Sequence, residues 1–165
     1  MADASKKIIL VGVDDSAESS YSLEWTLDHV LLPMKGSSET SFFKIILLHI
    51  KPPASQVVRL AGPGSGDMIT RVESDINLMA SSVGKMAAEI CEKKSFKDFE
   101  VQMMEGDARE LLCKAVDKHK AEMLVVGSHG YGAFKRAVLG SVSDYCAHHA
   151  HCSVLIVKKP KSTAQ

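Results

Sequence analysis

The amino-acid sequence predicts an α/β fold: a five-stranded, parallel, doubly wound sandwich with helices on both faces of one sheet. Three observations carry this. Five short runs read as strands, most of them apolar almost throughout, the signature of strands buried on both faces. A segment of helical periodicity or helix-start signals separates each from the next, giving β-α-β-α-β-α-β-α-β. Right-handed crossovers then restrict the connections to a doubly wound sheet.

The first strand is residues 7–13 (KIILVGV). It ends at Asp14-Asp15-Ser16, and Glu18 lies three residues after Asp15, a capping-box pattern that opens a helix. That helix carries Leu23, Leu27, Val30 and Leu31 on one face and stops near Pro33. Residues 43–50 (FKIILLHI) form the second strand. Residues 51–67 hold Pro52, Pro53, Gly62, Pro63, Gly64 and Gly66 and read as a long loop, a lid or binding loop. A long amphipathic helix over about 68–94 follows, with Ile69, Val72, Ile76, Met79, Val83, Met86, Ala87 and Ile90 expected on its core face. Residues 99–104 read as a strand, and Asp107 with Glu110 forms a capping box for a helix to about His119. A buried strand, residues 123–126 (MLVV), ends at Gly127; a helix over about 141–149 and a last strand, residues 153–157 (SVLIV), complete the order. No linker or repeat divides residues 1–165, so one domain with its core over about 7–158 is expected.

Composition excludes several classes. Hydrophobic residues make up 45% of the 165, enough for a full core without cross-links. Twenty Lys and Arg balance 20 Asp and Glu, so no field favours nucleic acid or an anionic membrane. Cys91, Cys113, Cys146 and Cys152 lack the spacing of small secreted domains and read as free thiols. Neither a signal peptide nor an apolar stretch near the ~18 residues of a membrane span is present. A soluble cytoplasmic protein is expected; nuclear or membrane-peripheral residence is compatible with the same features.

Doubly wound sheets bind ligands beyond the C-terminal ends of their strands, where the strand order reverses. The ends of the first and fourth strands are the candidates. The first strand-to-helix turn offers acids instead of the dinucleotide glycine fingerprint, and neither a Walker A loop nor a G-x-S-x-G elbow occurs. The fourth turn fits a phosphate better. Gly127 and Gly130 allow positive φ and close backbone approach. Nine residues beyond Gly130 stand Gly140 and Ser141, and Ser141-Val-Ser-Asp144 has the form of a capping box. A helix N-terminus there presents free N–H groups and a positive dipole end to an anion. The hydroxyls of Ser141 and Ser143 would add donors, and Lys135 and Arg136 lie in the spacer.

G-x-x-G, nine residues, then G-[ST] resembles the nucleotide-binding signature of the universal stress protein family, matched at Gly127, Gly130, Gly140 and Ser141. The strand ending in Val13-Asp14, the stretch LLHI, the pair Gly106-Asp107, the core LVVGSHG and the closing SVLIVK are similar as well, and EWTL at Glu24 to Leu27 resembles the plant branch. The resemblance runs from Lys7 to Lys158. It implies a Rossmann-like, adenine nucleotide alpha-hydrolase-like fold that holds ATP or AMP, with Mg2+ compatible with ATP. Gly12, Val13 and Asp14 would flank the adenosine, Asp14 as the polar anchor. Ile50 would meet the base, and Val126 and Gly127 the ribose. Gly130, Gly140, Ser141, Val142 and Ser143 would hold the phosphates. Val13 and Ile50 differ in type from some family counterparts, which leaves base selectivity open. The resemblance further implies a homodimer paired through the last strand and a nucleotide-dependent regulatory or signalling role in stress response, with protein partners not identified. A slow ATPase or phosphotransfer enzyme is the alternative, although no catalytic residue is visible and a Walker lysine is lacking.

Cys146, His148, His149, His151 and Cys152 crowd into seven residues, with no second ligand pair elsewhere. That pattern favours a structural role over a metal site or a metal-responsive module. His129, between the glycines, is placed to touch a phosphate but is expected rather as a solvent-exposed loop residue, and His49 as a satisfied histidine of the core or its rim.

Overall fold

The computed structural model describes residues 6–34, 42–62, 66–129 and 139–161. Its strands are β1 (Lys7–Gly12), β2 (Phe43–Lys51), β3 (Phe99–Glu105), β4 (Met123–Gly127) and β5 (Ser153–Val157). All pairings are parallel, in the order β3-β2-β1-β4-β5. The pleat explains the unbroken apolar runs. Ile9, Val11, Ile45, Leu47 and Val125 point to one face, against Leu23 and Leu27 and against Val83, Ala87 and Cys91. Leu10, Ile46, Leu48, Leu124 and Val126 point to the other, against Leu112, Ala115, Val116 and Cys146. Burial of each of these Leu, Ile and Val side chains stabilises by roughly 1.5–3 kcal/mol relative to exposure.

The first cluster lies under α1 (Ala17–Thr26) and α4 (Gly66–Lys93), the second under α5 (Ala108–His119) and α6 (Ser141–His149). From β1 the chain steps outward through β2 to β3, then returns across the sheet to β4 and β5. This reversal opens a crevice between the C-terminal ends of β1 and β4. As expected for a closing strand, β5 lies at an edge of the sheet. Among the described residues no helix is long and apolar enough to cross a membrane.

Helix starts refine the expectations. The cap of α1 is Ser16, one residue later than expected; its side chain accepts from the Ser19 N–H at 3.1 Å. Asp14 Oδ1 in turn accepts from the Ser16 N–H at 2.9 Å, which fixes the register of the turn. The helix widens into a π-turn (Leu27–Leu31) and passes into α2 (Leu32–Met34), within which Pro33 offers no N–H to the ladder. Asp107 caps α5 as expected, accepting from the Arg109 N–H. The cap of α6 is Gly140 rather than Ser141, without a side-chain bond.

Two expectations between β2 and β3 are corrected. The loop expected over 51–67 contains a helix, α3 (Ala54–Ala61), capped by Pro53 and closed by Gly62 at φ 102°. The prolines and glycine are its punctuation: proline suits a helix start, and glycine a left-handed exit. Helix α4 is 28 residues long, roughly 42 Å, while its longest neighbouring strand has nine residues, roughly 30 Å. Only its C-terminal part therefore covers the sheet: Ala80, Val83, Gly84, Ala87 and Cys91 are buried, whereas Ile69 and Met79, expected in the core, are exposed.

Candidate functional site

The crevice is a cavity of about 300 Å³. The end of β1 supplies Gly12, Val13 and Asp14, and the end of β2 supplies Ile50. Val126 and Gly127 come from β4; Gly140, Ser141, Val142 and Ser143 come from the start of α6. The structure thus brings together all the expected site residues except Gly130, which lies outside the described residues, as do Lys135 and Arg136 of the spacer.

Hydrogen bonds fix the β1 side. The Val13 N–H donates to the Leu48 carbonyl at 3.0 Å, and His49 Nδ1 donates to the Val13 carbonyl at 2.8 Å. His49 is accordingly the satisfied rim histidine the sequence suggested. The Asp14 N–H donates to Ser19 Oγ at 2.9 Å, and the Ser16 hydroxyl makes a short bond to Asp14 Oδ1. Asp14 therefore stiffens its own turn with one oxygen while lining the cavity.

The β4 side is a clamp centred on the Ser128 carbonyl. It accepts from the Gly140 N–H at 2.6 Å and from Ser143 Oγ at 3.1 Å. Ser143 Oγ also lies 3.0 Å from the Gly140 carbonyl. The buried Ser143 hydroxyl is thus occupied in holding α6 to β4, which corrects the expectation that it serves as a donor to phosphate. What remains for a ligand is backbone: the first N–H groups of α6, at Ser141, Val142 and Ser143, precede the intrahelical ladder and receive no side-chain cap. The starts of α1 and α5 border the same cavity through Ser16, Ser19 and Ala108. Three helix N-termini favour negative charge there.

Two glycines are required by close approach. A Cβ on Gly127 would lie 3.2 Å from the Glu18 backbone, and one on Gly140 would lie 3.1 Å from the Ser128 carbonyl oxygen. The positive φ expected at Gly127 is not adopted; among the described glycines it occurs at Gly62 and Gly106.

This glycine-built crevice lies within a region, residues 6–158, that matches the model of the universal stress protein family. The chain belongs to the universal stress protein family. It is 30% identical over 171 residues to universal stress protein PHOS32 of Arabidopsis thaliana, covering 94% of this chain and 66% of that one. A universal stress protein A-like protein of the same plant is 32% identical over 142 residues, 82% of this chain and 75% of that one. Solved universal stress proteins share the fold. An Arabidopsis thaliana member with AMP bound superposes with TM-score 0.63 at 23% identity, over 96% of each chain. A member in complex with cAMP gives 0.65 at 22%, over 92% of this chain and 96% of that one. One from Archaeoglobus fulgidus in complex with dAMP gives 0.59 at 16%, over 93% and 98%.

In this universal stress protein the remaining polar clusters lie outside the crevice or at its border. At the start of α5, the Arg109 guanidinium bonded to Asp107 at 2.7 Å holds that carboxyl below the usual range. Cys91 and Cys146 are buried, and burial pushes both thiols up to about 12. His148 and His149 bond back to carbonyls four residues earlier, and His151 bonds to Asp117. Among the described residues no group of three or more His, Cys, Asp or Glu is placed to hold a metal ion. Sequence reasoning missed Ser16, Ser19, Leu48, Ala108 and Leu112 as lining residues; only the reversal of strand order, which brings α5 and β2 to this end, pointed toward them. His129, expected to be solvent-exposed, is instead partly buried in the cavity wall.

Proposed function

We propose that the crevice binds an adenine nucleotide, AMP or ATP, and that the protein is a nucleotide-dependent regulatory module in stress response. The observation that carries this reading is the uncapped N-terminus of α6 facing the cavity, held in place by the Ser128 clamp. Its three free N–H groups and its dipole suit a phosphate. The apolar walls at Val13, Ile50 and Leu112 suit a base, and Asp14 suits a ribose or base donor. Structures of the family solved with AMP, cAMP and dAMP support the same ligand class. Mg2+ would accompany ATP. Occupancy would alter self-association through β5, an edge strand with half-buried Val154, Leu155 and Ile156, or the choice of protein partner.

Calorimetric titration of the purified protein with AMP and with ATP, each with and without magnesium, tests the reading. Saturable binding that Gly140→Asp abolishes is expected. No heat of binding from a folded protein stripped of nucleotide would overturn it.

A further inference from the structure

We propose that a groove between the turn before α1 and the middle of α4 docks a cationic amphipathic helix of a partner protein. The groove is a second cavity, of about 430 Å³, between Asp15 and the α4 face that runs from Asp75 to Met86. Its apolar lining is Leu78, Met79, Val83 and Met86, at helical spacing on one face. Val83 belongs to the core, but Leu78 is 73% and Met79 57% exposed. The apolar stripe of α4 thus continues past the point where the sheet covers it. Where water alone meets a helix face, that face is ordinarily polar. An apolar patch that lines a groove and has a polar rim marks an interaction surface.

Charge and shape select the occupant. Among the described residues, the charged side chains lining the groove are two carboxylates, Asp15 and Asp75, with no lysine or arginine. Both are exposed, and neither makes an ion pair with a described residue. Arg71, one turn before Asp75, does not line the groove. Such a rim repels nucleic acid and anionic lipid and attracts Lys or Arg. A two-fold contact between copies would set these same carboxylates against each other, and the apolar faces of α5 and α6 are already buried on the sheet. From Asp75 to Met86 the helix rises roughly 16 Å, three turns. That length matches a partner helix whose apolar side chains at i, i+3 or i+4 and i+7 meet Leu78, Met79 and Met86. Methionine is unbranched and polarizable and adapts to such side chains. The edges of the groove are held in advance. Asp14 Oδ1 accepts from the Ser16 N–H beside Asp15 at 2.9 Å, and Ser20 Oγ lies 3.4 Å from Met86 Sδ.

Fluorescence anisotropy on the full chain tests this. The probe is a labelled peptide of about 14 residues, with Leu at helical spacing and Lys at the other positions. Saturable binding is expected. Asp15→Lys with Asp75→Lys should weaken it about tenfold or more, and so should Leu78→Ser with Met79→Ser. A peptide of the same composition without the helical period, and one with Glu for Lys, should each bind at least about tenfold more weakly. In the wild-type protein, the probe should shift the backbone 15N amides of Asp15 and of residues 75–86; this readout needs no variant to fold. No saturable binding, equal binding of the control peptides, indifference to both double variants, or shifts confined to other elements would overturn the proposal. So would an idle probe together with a dimer, seen by light scattering, that Leu78→Ser breaks; the groove would then belong to a second copy of the chain.

Discussion

Substituting Gly140 with alanine isolates the clamp that aims α6 at the cavity. The backbone at Gly140 (φ −71°, ψ 158°) is open to any residue, so conformational strain is not the issue. The added Cβ would stand 3.1 Å from the Ser128 carbonyl oxygen, and relief requires that oxygen to move. The same oxygen receives the Gly140 N–H at 2.6 Å and the Ser143 hydroxyl at 3.1 Å, so one methyl group loads both bonds. Overpacking of this kind costs about 1–3 kcal/mol. Urea unfolding measures it as a lower midpoint at constant slope. Ser143→Ala removes one of the two bonds and should cost about 1 kcal/mol. The double variant should lose less than the sum, because both changes act on one carbonyl. Gly140→Ala with wild-type stability, or strict additivity with Ser143→Ala, would refute the clamp.

Three further outcomes are expected. Ser16→Ala removes the α1 cap and its link to Asp14, and should lower stability by about 1 kcal/mol in the same unfolding assay. Asp107 should titrate below an ordinary aspartate, and Arg109→Ala should return it toward normal in an NMR titration. Because its folded value is depressed, its stabilising contribution is present above about pH 4 and fades as pH falls through the folded value; as an exposed pair it is screened by solvent and small. At pH 8 the buried thiols of Cys91 and Cys146, raised to about 12, should resist a thiol reagent in the native protein and react once urea unfolds it.

The strands were legible because both faces of β1, β2 and β4 are buried, which leaves continuous apolar runs that few other arrangements need. The crevice followed from the reversal of strand order and from glycines whose spacing has a steric cause at Gly127 and Gly140. Other features depend on tertiary contacts that local pattern does not carry. The periodicity of α4 fixed a face but not how much of it the sheet would cover, so Ile69 and Met79 were misplaced into the core. Proline and glycine around α3 read as loop because the same residues begin and end helices. Asp14, Asp15 and Ser16 are all able to cap, and the hydrogen bond from Ser16 to Asp14 decides among them. The string S-V-S-D fits a capping box at Ser141, yet close approach to Ser128 makes Gly140 the cap and turns the Ser143 hydroxyl inward.

The central claim is that an adenine nucleotide sits between the ends of β1 and β4 with its phosphate on α6. The most direct test is a titration of 15N-labelled protein with AMP, followed through the backbone amides. The account predicts saturable shifts at Gly12, Asp14 and Gly127, with the largest at Ser141, Val142 and Ser143. Saturable shifts confined to the exposed stretch of α4 around Leu78 and Met79, with the α6 amides unmoved, would contradict it.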